Sequence, residues 1–324
     1  MESESMKTSV LVPTFRRPDD LERCLAALAA QSHPADEVVV IARRDDAPTC
    51  EVLDRWLAVR AVNGLRVAWV REPGQVAANN CGLREAAHEL ILITDDDAAA
   101  HRDWVERIRA HFMRDTQLGG VGGRDFVHER GRVLDGEARE VGLLSWYGRV
   151  VGNHHLGSGA PREVSILKGV NMAWRRDAIE ELRFDTRLLG SGAQVHNDLA
   201  FSLAVRRRGW KLLYDPAVRV DHYPAVRGDD DQRFVLNEAA YFNASFNLRF
   251  TLCEHLSPAG RLAFMAYSLA IGNRADPGVL RATLLALSGA GWREPFLKVR
   301  IGARAMRAAW RTPDRRRGPT ARTA

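Results

Sequence analysis

Short apolar runs alternate along the first part of the chain with longer stretches whose apolar positions recur at helical spacing. "TSVLVPTF" (8–15), "DEVVVIA" (36–42), "LRVAWV" (65–70) and "LILIT" (90–94) read as strands. Three helical patterns separate them: "RPDDLERCLAALAAQ" (17–31), "PTCEVLDRWLAVRA" (48–61) and "GQVAANNCGLREAAH" (74–88). In the first, Leu21, Leu25 and Leu28 share a face. A fourth helix, "HRDWVERIRAHFMRD" (101–115), follows the fourth strand. A run such as VVVIA is apolar on both faces, which suits a strand inside a parallel sheet covered by helices. The pattern predicts an α/β fold with a mostly parallel sheet.

The pattern changes after Gly119. "GGVGGRDFV" predicts a strand with close backbone approaches, and residues 127–165 are polar, mixed and unassigned. "ILKGVNMAWRRDAIEEL" (166–182) predicts a strand or turn and then a helix, "HNDLAFSLAVRRRGW" (196–210) a helix with a basic end, and "KLLYDPAVRVDHYP" (211–224) strand, turn and strand. From Gln232 the chain reads as largely helical. The expected divisions are a disordered N-terminus (1–7), an α/β domain (8–225), a helical region (226–300) and a basic tail (301–324).

Charge sharpens the last division. The chain carries +6 overall, yet residues 298–324 hold nine Lys or Arg against one Asp, so the remainder is slightly acidic. Such a tail can favour an anionic membrane surface or nucleic acid, or it can be a solvated terminus. The core has no interleaved aromatic and basic pattern, so no nucleic-acid partner is expected. Cys24, Cys50, Cys81 and Cys253 show no CxxC spacing, which points to a reducing compartment. "MESESMKTS" is no signal peptide, and no apolar stretch reaches 18 residues. A cytoplasmic protein is expected, with contact at the inner face of the membrane as an option for the tail.

In a parallel sheet, ligands sit beyond the carboxyl ends of the strands. Pro13 and Thr14, Arg43 to Asp46, and Asp95 to Asp97 all fall at such ends. Three consecutive aspartates repel one another. They could cap a helix, act as a proton-transfer pair, or hold a cation. With no His or Cys cluster nearby, the cation would be Mg2+ or Mn2+, shared with phosphate oxygens of a substrate. There is no GxxxxGK[ST] and no GxGxxG after the first strand, so a P-loop or dinucleotide-binding site is not indicated.

Six segments in order carry a resemblance: "SVLVPTFRRPDDLERCLAALAAQ", "DEVVVIARRDD", "GQVAANNCGL", "ILITDDDA", "LKGVNMAWRRDAI" and "NDLAFSLAVRRRGWKLLYDPAVRVDH". Over residues 8–224 the chain resembles the family 2 glycosyltransferases of GT-A fold. The resemblance implies a Rossmann-like sheet flanked by helices. It also implies inverting transfer of a sugar from a nucleotide-diphosphate sugar to an acceptor hydroxyl.

By the same resemblance, Pro13 and Thr14 line the nucleotide pocket, and Asp45 or Asp46 recognises the base. Gly74, Asn79 and Asn80 lie near nucleotide and donor sugar. Asp95 and Asp97 carry the ion, and Asp96 serves ribose or local hydrogen bonding. Asn171 and Trp174 lie under the donor sugar, with Trp174 offering a stacking face. Asp198 is the catalytic base; the family often has Glu before it, where this chain has Asn197. His222 completes the metal site, with Asp221 a weaker candidate. His196 could touch the acceptor. Arg227 could clamp phosphate, and Asp229 to Asp231 read as a solvated loop.

The acceptor is open between a saccharide, a lipid-linked acceptor and a small molecule. The C-terminal helices could face a membrane or pack into a homodimer. Two rivals remain: a sugar-phosphate nucleotidyltransferase and a catalytically degenerate sugar-nucleotide-binding protein.

Overall fold

The structure, a computed structural model, describes residues 6–225 and 236–312. Its first half follows the apolar pattern. Strands β1 (Thr8–Pro13), β2 (Glu37–Ala42), β3 (Leu65–Trp69) and β4 (Leu90–Thr94) are parallel, in the spatial order β4-β1-β2-β3. Helices α1 (Pro18–Ala29), α2 (Ala47–Val59) and α3 (Gln75–Glu85) make the crossovers. Alternation along each strand divides the core. Val10, Val12, Val38 and Val40 pack with Leu21, Leu25 and Leu28, whereas Leu11, Val39 and Ile41 pack with Val76 and Leu83. Each such side chain stabilises the fold by about 1.5–3 kcal/mol.

The second half is less regular. It comprises β5 (Ala98–Ala100), α4 (Trp104–Arg114), β6 (Leu118–Glu129), β7 (Arg132–Val133), β8 (Leu143–Leu144), β9 (Val150–Val151) and β10 (Arg162–Val164). Then come β11 (Asn171–Arg175), α5 (Arg176–Ile179), α6 (Asn197–Arg207) and β12 (Lys211–His222). The main sheet continues as β10-β12-β6-β11-β4. β11 runs antiparallel to both β4 and β6. The sheet is therefore mixed where a mostly parallel one was expected.

Residues 211–222 form one strand rather than strand, turn and strand. Its pairing with β6 slips between Asp215 and Arg219, around Pro216, which has no N–H for the ladder. The glycines of β6 make room for aromatic rings: a Cβ on Gly120 would meet the indole of Trp174 and one on Gly119 would meet Trp210.

Helices α7 (Glu238–His255), α8 (Pro258–Ala270), α9 (Val279–Leu285) and α10 (Arg293–Arg311) complete the described chain. Asn237 caps α7 and Ser257 caps α8 through side-chain oxygens, each contributing about 1 kcal/mol. α10 crosses the boundary expected at 300 and ends at Arg311, so the helical region is longer and the tail shorter. Positions 1–5 and 313–324 of the expected termini, with Arg227 and Asp229 to Asp231, lie outside the described residues. These helices share cores with the α/β part: Leu199 and Leu203 with Leu252, Phe264 and Met306, and Leu188 with Phe246, Phe250 and Ala305.

Candidate active site

The acidic rim follows the end of β4 beside β1 and meets the end of β12 where β5 pairs with it. Asp96 and Asp97 are both buried. Thr14, just past β1, donates its hydroxyl to Asp96 Oδ2 at 2.8 Å, and Arg17 Nη1 donates to Asp96 Oδ1 at 3.0 Å. The same guanidinium lies 3.5 Å from Asp97 Oδ2. Arg17 thus answers part of the triplet's repulsion from within the chain. Burial pushes the Asp96 carboxyl up, Arg17 opposes this, and the Asp97 charge adds to the rise. Asp96 is a structural member of the triplet.

Asp97 is held from the opposite side. Its carbonyl accepts from the Tyr223 N–H (2.8 Å) and its Oδ2 from the Ala225 N–H (3.0 Å). Its Oδ1 lies 3.4 Å from His222 Nε2 and makes no hydrogen bond. Burial pushes this carboxyl up. His222, the Ala225 N–H and Arg17 outweigh burial and hold it below the usual range.

Asp95, Asp97 and His222 each offer a ligand atom, all within 4.8 Å of one another. Two carboxylate oxygens and an imidazole suit Mn2+ or Mg2+. A buried carboxylate oxygen without a hydrogen bond is costly unless something positive meets it. The cluster therefore fits a divalent cation.

His222 is itself positioned. Its Nδ1 faces Asp125 Oδ2 at 3.4 Å, and Lys168 Nζ pairs with the same oxygen. The register of β12 on β6 puts Val220 opposite Asp125, so Asp125 shares a face with His222 two residues on. Fixing one imidazole nitrogen with a carboxylate aims the other at a metal and raises its basicity. Burial pushes the His222 pKa down, but Asp125 and Asp97 raise it overall. Burial likewise pushes Asp125 up, and His222 and Lys168 bring it below the ordinary value.

The next residue along from Lys168 reaches the expected base. The Gly169 N–H donates to Asp198 Oδ2 at 3.1 Å, and Asp198 Oδ1 accepts from the Leu199 N–H at 2.8 Å. Asp198 stands in the first turn of α6, partly accessible. Asn197 is buried and donates to the carbonyls of Ala193 (3.0 Å) and Gln194 (3.2 Å). A glutamate could not donate these bonds, which gives the departure from Glu a local reason. His196 enters the helix with φ of 75°.

The loop before α6 also closes the entrance of α3. Gly74, at φ 104°, permits the turn, and a Cβ there would collide with Gln194. Gln194 Oε1 accepts from the Val76 N–H at 3.0 Å, and Gln75 Nε2 donates to Asp95 Oδ1 at 3.0 Å. The loop is anchored from α7. Asn247 accepts from the Leu189 N–H (2.7 Å) and donates to the carbonyls of Leu189 (3.0 Å) and Val195 (3.0 Å).

Several residues expected to meet a ligand lie buried in the fold. Trp174 is fully buried against Phe201, with ring centroids 5.0 Å apart, so it offers no face to a sugar. Asn171 accepts from Trp104 Nε1 (2.8 Å) and donates to Val218 O (2.9 Å) and Arg124 O (3.3 Å), leaving its amide occupied. Asn80 exchanges two bonds with the Phe184 backbone, at 2.9 and 2.8 Å. Asn79 is fully buried in α3, and its amide has no hydrogen-bond partner among the described residues.

Asp46 caps α2 through the Thr49 N–H and also accepts from the Arg16 N–H. Asp45 is exposed and holds Arg43 at 2.9 and 2.6 Å. Asp221 pairs with His128 (2.7 Å) and His101 (3.0 Å), on the strand face opposite His222. Pro13 ends β1 beside Thr14. Arg17, Asp125, Lys168 and Gln75 were not singled out by the sequence. The basic loop after β1 was a signal for Arg17; Asp125 needed the β6–β12 register.

Residues 6–250 match the family model described as glycosyltransferase like family 2. The chain is similar to the glycosyltransferase AglE of Haloferax volcanii, 27% identical over 192 residues that cover 58% of this chain and 59% of AglE. It is also similar to poly-beta-1,6-N-acetyl-D-glucosamine synthase of Staphylococcus aureus, 22% identical over 208 residues, 64% of this chain and 47% of the synthase. The chain thus spans about half the length of the curated relatives it matches.

Two solved structures are similar in fold. The mannosyltransferase PcManGT from Pyrobaculum calidifontis, in complex with GDP-Man and Mn2+, aligns over 95% of this chain and 87% of its own, at TM-score 0.57 and 20% identity. GalNAc-T7 with UDP, GalNAc and Mn2+ aligns over 78% of this chain and 48% of its own, at TM-score 0.60 and 16% identity. The mixed sheet, its flanking helices and its helical extension make up a GT-A fold. With the family match running from before β1 into α7, the chain belongs to the glycosyltransferase like family 2.

Proposed function

We propose that the protein transfers a sugar from a nucleotide-diphosphate sugar to an acceptor hydroxyl with inversion at the anomeric carbon. The observation that carries this is the convergence of Asp95, Asp97 and His222 within 4.8 Å on the sheet rim. Asp97, Asp95 and His222 would hold Mn2+ or Mg2+. When bound, such an ion neutralises the charge that grows on a departing diphosphate. The solved relatives carry Mn2+ together with a sugar nucleotide or with a nucleotide and a sugar, which supports the same assignment here.

This chain's residues do the rest. Asp125 orients His222, and Arg17 with Thr14 holds Asp96 so that Asp97 keeps its place. Asp198 takes the proton of the acceptor hydroxyl. The acceptor oxygen bonds to the anomeric carbon as the bond from that carbon to the diphosphate oxygen breaks. The nucleoside diphosphate leaves from the opposite face, and the configuration inverts. Placement and charge stabilisation supply most of the acceleration. The hydrogen bond from Gly169 keeps Asp198 aimed.

Pro13, Thr14 and the loop of Arg43 to Asp46 border the nucleotide. Asp45 is the exposed acid there, since Asp46 is committed to its helix. The acceptor is a saccharide, lipid-linked or small-molecule hydroxyl. Arg17 is spent on Asp96, which leaves the loop after β1 poorly equipped for a sugar-phosphate nucleotidyltransferase.

The test is a panel of UDP-, GDP- and dTDP-sugars with and without Mn2+, read by thermal shift and slow donor hydrolysis. One donor class should stabilise the protein and be hydrolysed, only with the metal. Silence across the panel would leave a binding-only protein as the better reading.

A further inference from the structure

Helix α9 is built inside out. Ala282 and, just past the helix end, Ala286 face the protein, while Leu280 and Leu284 of α9 and Leu287 of the helical turn that follows it (Ala286–Ala290) point outward at 61%, 67% and 71% exposure. The three leucines recur at i, i+4 and i+7, a complete apolar stripe on the open side. The end of α8 widens the stripe. The Gly278 N–H donates to Ile271 O at 2.9 Å across a tight turn, which brings exposed Leu269 and Ile271 beside exposed Val279 and Leu280. Trp292, also exposed, stands at the start of α10. A soluble surface rarely leaves so continuous an apolar face without an occupant.

Charge identifies the occupant. Arg274, Arg281 and Arg293 are exposed along this stretch. Among the described residues from 258 to 312 there are two acids, and both are paired. Asp276 holds Arg249 at 2.9 Å, and Glu294 holds Lys298 at 2.8 Å. A leucine stripe flanked by unopposed arginines, with an indole at its edge, fits the boundary between headgroups and acyl chains of an anionic bilayer. A two-fold contact between copies fits less well, because it would bring the same basic rim together from both sides. We propose that the outward face of α9, with the α8–α9 turn, seats the protein on an anionic lipid surface.

The full chain would be sedimented with phosphatidylcholine vesicles and with vesicles in which one third of the lipid is phosphatidylglycerol. Binding should appear with the anionic vesicles only. Replacing Leu280→Ser, Leu284→Ser and Leu287→Ser together should weaken it by more than about tenfold. Arg281→Gln should weaken it by about fivefold, the worth of one basic residue near such a surface. These positions are exposed, so the fold should tolerate both changes.

Binding unchanged in the leucine variant would overturn the proposal and leave the basic tail as the anchor. So would a wild-type dimer, seen by analytical ultracentrifugation, that the leucine changes dissociate. Neither measurement uses a donor, metal or acceptor, so the result stands apart from the reading of the active site.

Discussion

The two halves of the sheet equip the rim differently. The β1–β4 half supplies Thr14 and Asp95 to Asp97 from the ends of adjacent strands, with the acids contiguous in sequence. The β6–β12 half supplies Asp125, Lys168, Asp198 and His222 from β6, the loop before β11, α6 and β12, joined by a relay of contacts. The first half answers its own charge, Asp96 through Arg17 and Thr14. Asp97 is answered mainly from the second half, by His222 and the Ala225 N–H. The first half builds a stable acidic shelf, and the second aims the groups that would act on a ligand. Changes to the positioning groups of the second half should therefore cost function, and changes to the first half's hold on Asp96 should cost stability.

The sharpest separation is expected at Asp198. Asp198→Asn should lower turnover by about 10²–10⁴ while donor binding, read by thermal shift, stays near wild type. Turnover within tenfold of wild type would remove Asp198 as the base. Asp125→Asn comes next. It keeps an acceptor for the His222 N–H but removes the charge, and should weaken Mn2+ binding by about 10–100-fold, with some loss of stability from the Lys168 charge left behind. Calorimetric titration with Mn2+ reads this directly, and equal affinities would make Asp125 an ordinary core acid.

The pH response should divide in the same way. The His222 pKa is raised in the folded protein. Its contribution to stability is therefore full below the ordinary histidine value and fades as pH rises through the raised one. Mn2+ needs the neutral imidazole and should bind more tightly over that same rise. Melting curves with and without Mn2+ should diverge as pH increases; parallel curves would remove His222 from the ligand set.

The smallest effect belongs to the first half. Thr14→Val removes one buried hydrogen bond to Asp96 and should cost about 1–3 kcal/mol of stability in denaturant titration. Metal affinity should barely change. A larger loss of Mn2+ binding than at Asp125 would reverse the comparison.

Legibility followed the same line. Strands such as VVVIA are apolar on both faces because helices cover both, so the first half was readable from periodicity alone. The antiparallel course of β11 was not, since its sequence does not encode which neighbour it will meet. The acidic triplet marked the rim, but its inner division depended on Arg17, whose partner lies 79 positions away. Asn80, Asn171 and Trp174 read as ligand contacts because polar and aromatic residues near a site look alike in sequence, whichever way they face. In the fold, the two amides close backbone gaps and the indole fills the core. Asp125 stood in a glycine-rich stretch with nothing local to mark it, and only the pairing of β6 with β12 brings it to His222.

Asn247 bears on how the protein can be taken apart. Composition suggests a cut after β12, where the α/β pattern ends. Yet this buried amide of α7 clamps the 189–195 loop, and that loop leads into α6 and braces the entrance of α3. A fragment trimmed at 225 would keep every acid of the rim and lose the clasp on the segment that presents Asp198. The protein is one unit across that seam, and any minimal version of it has to include α7.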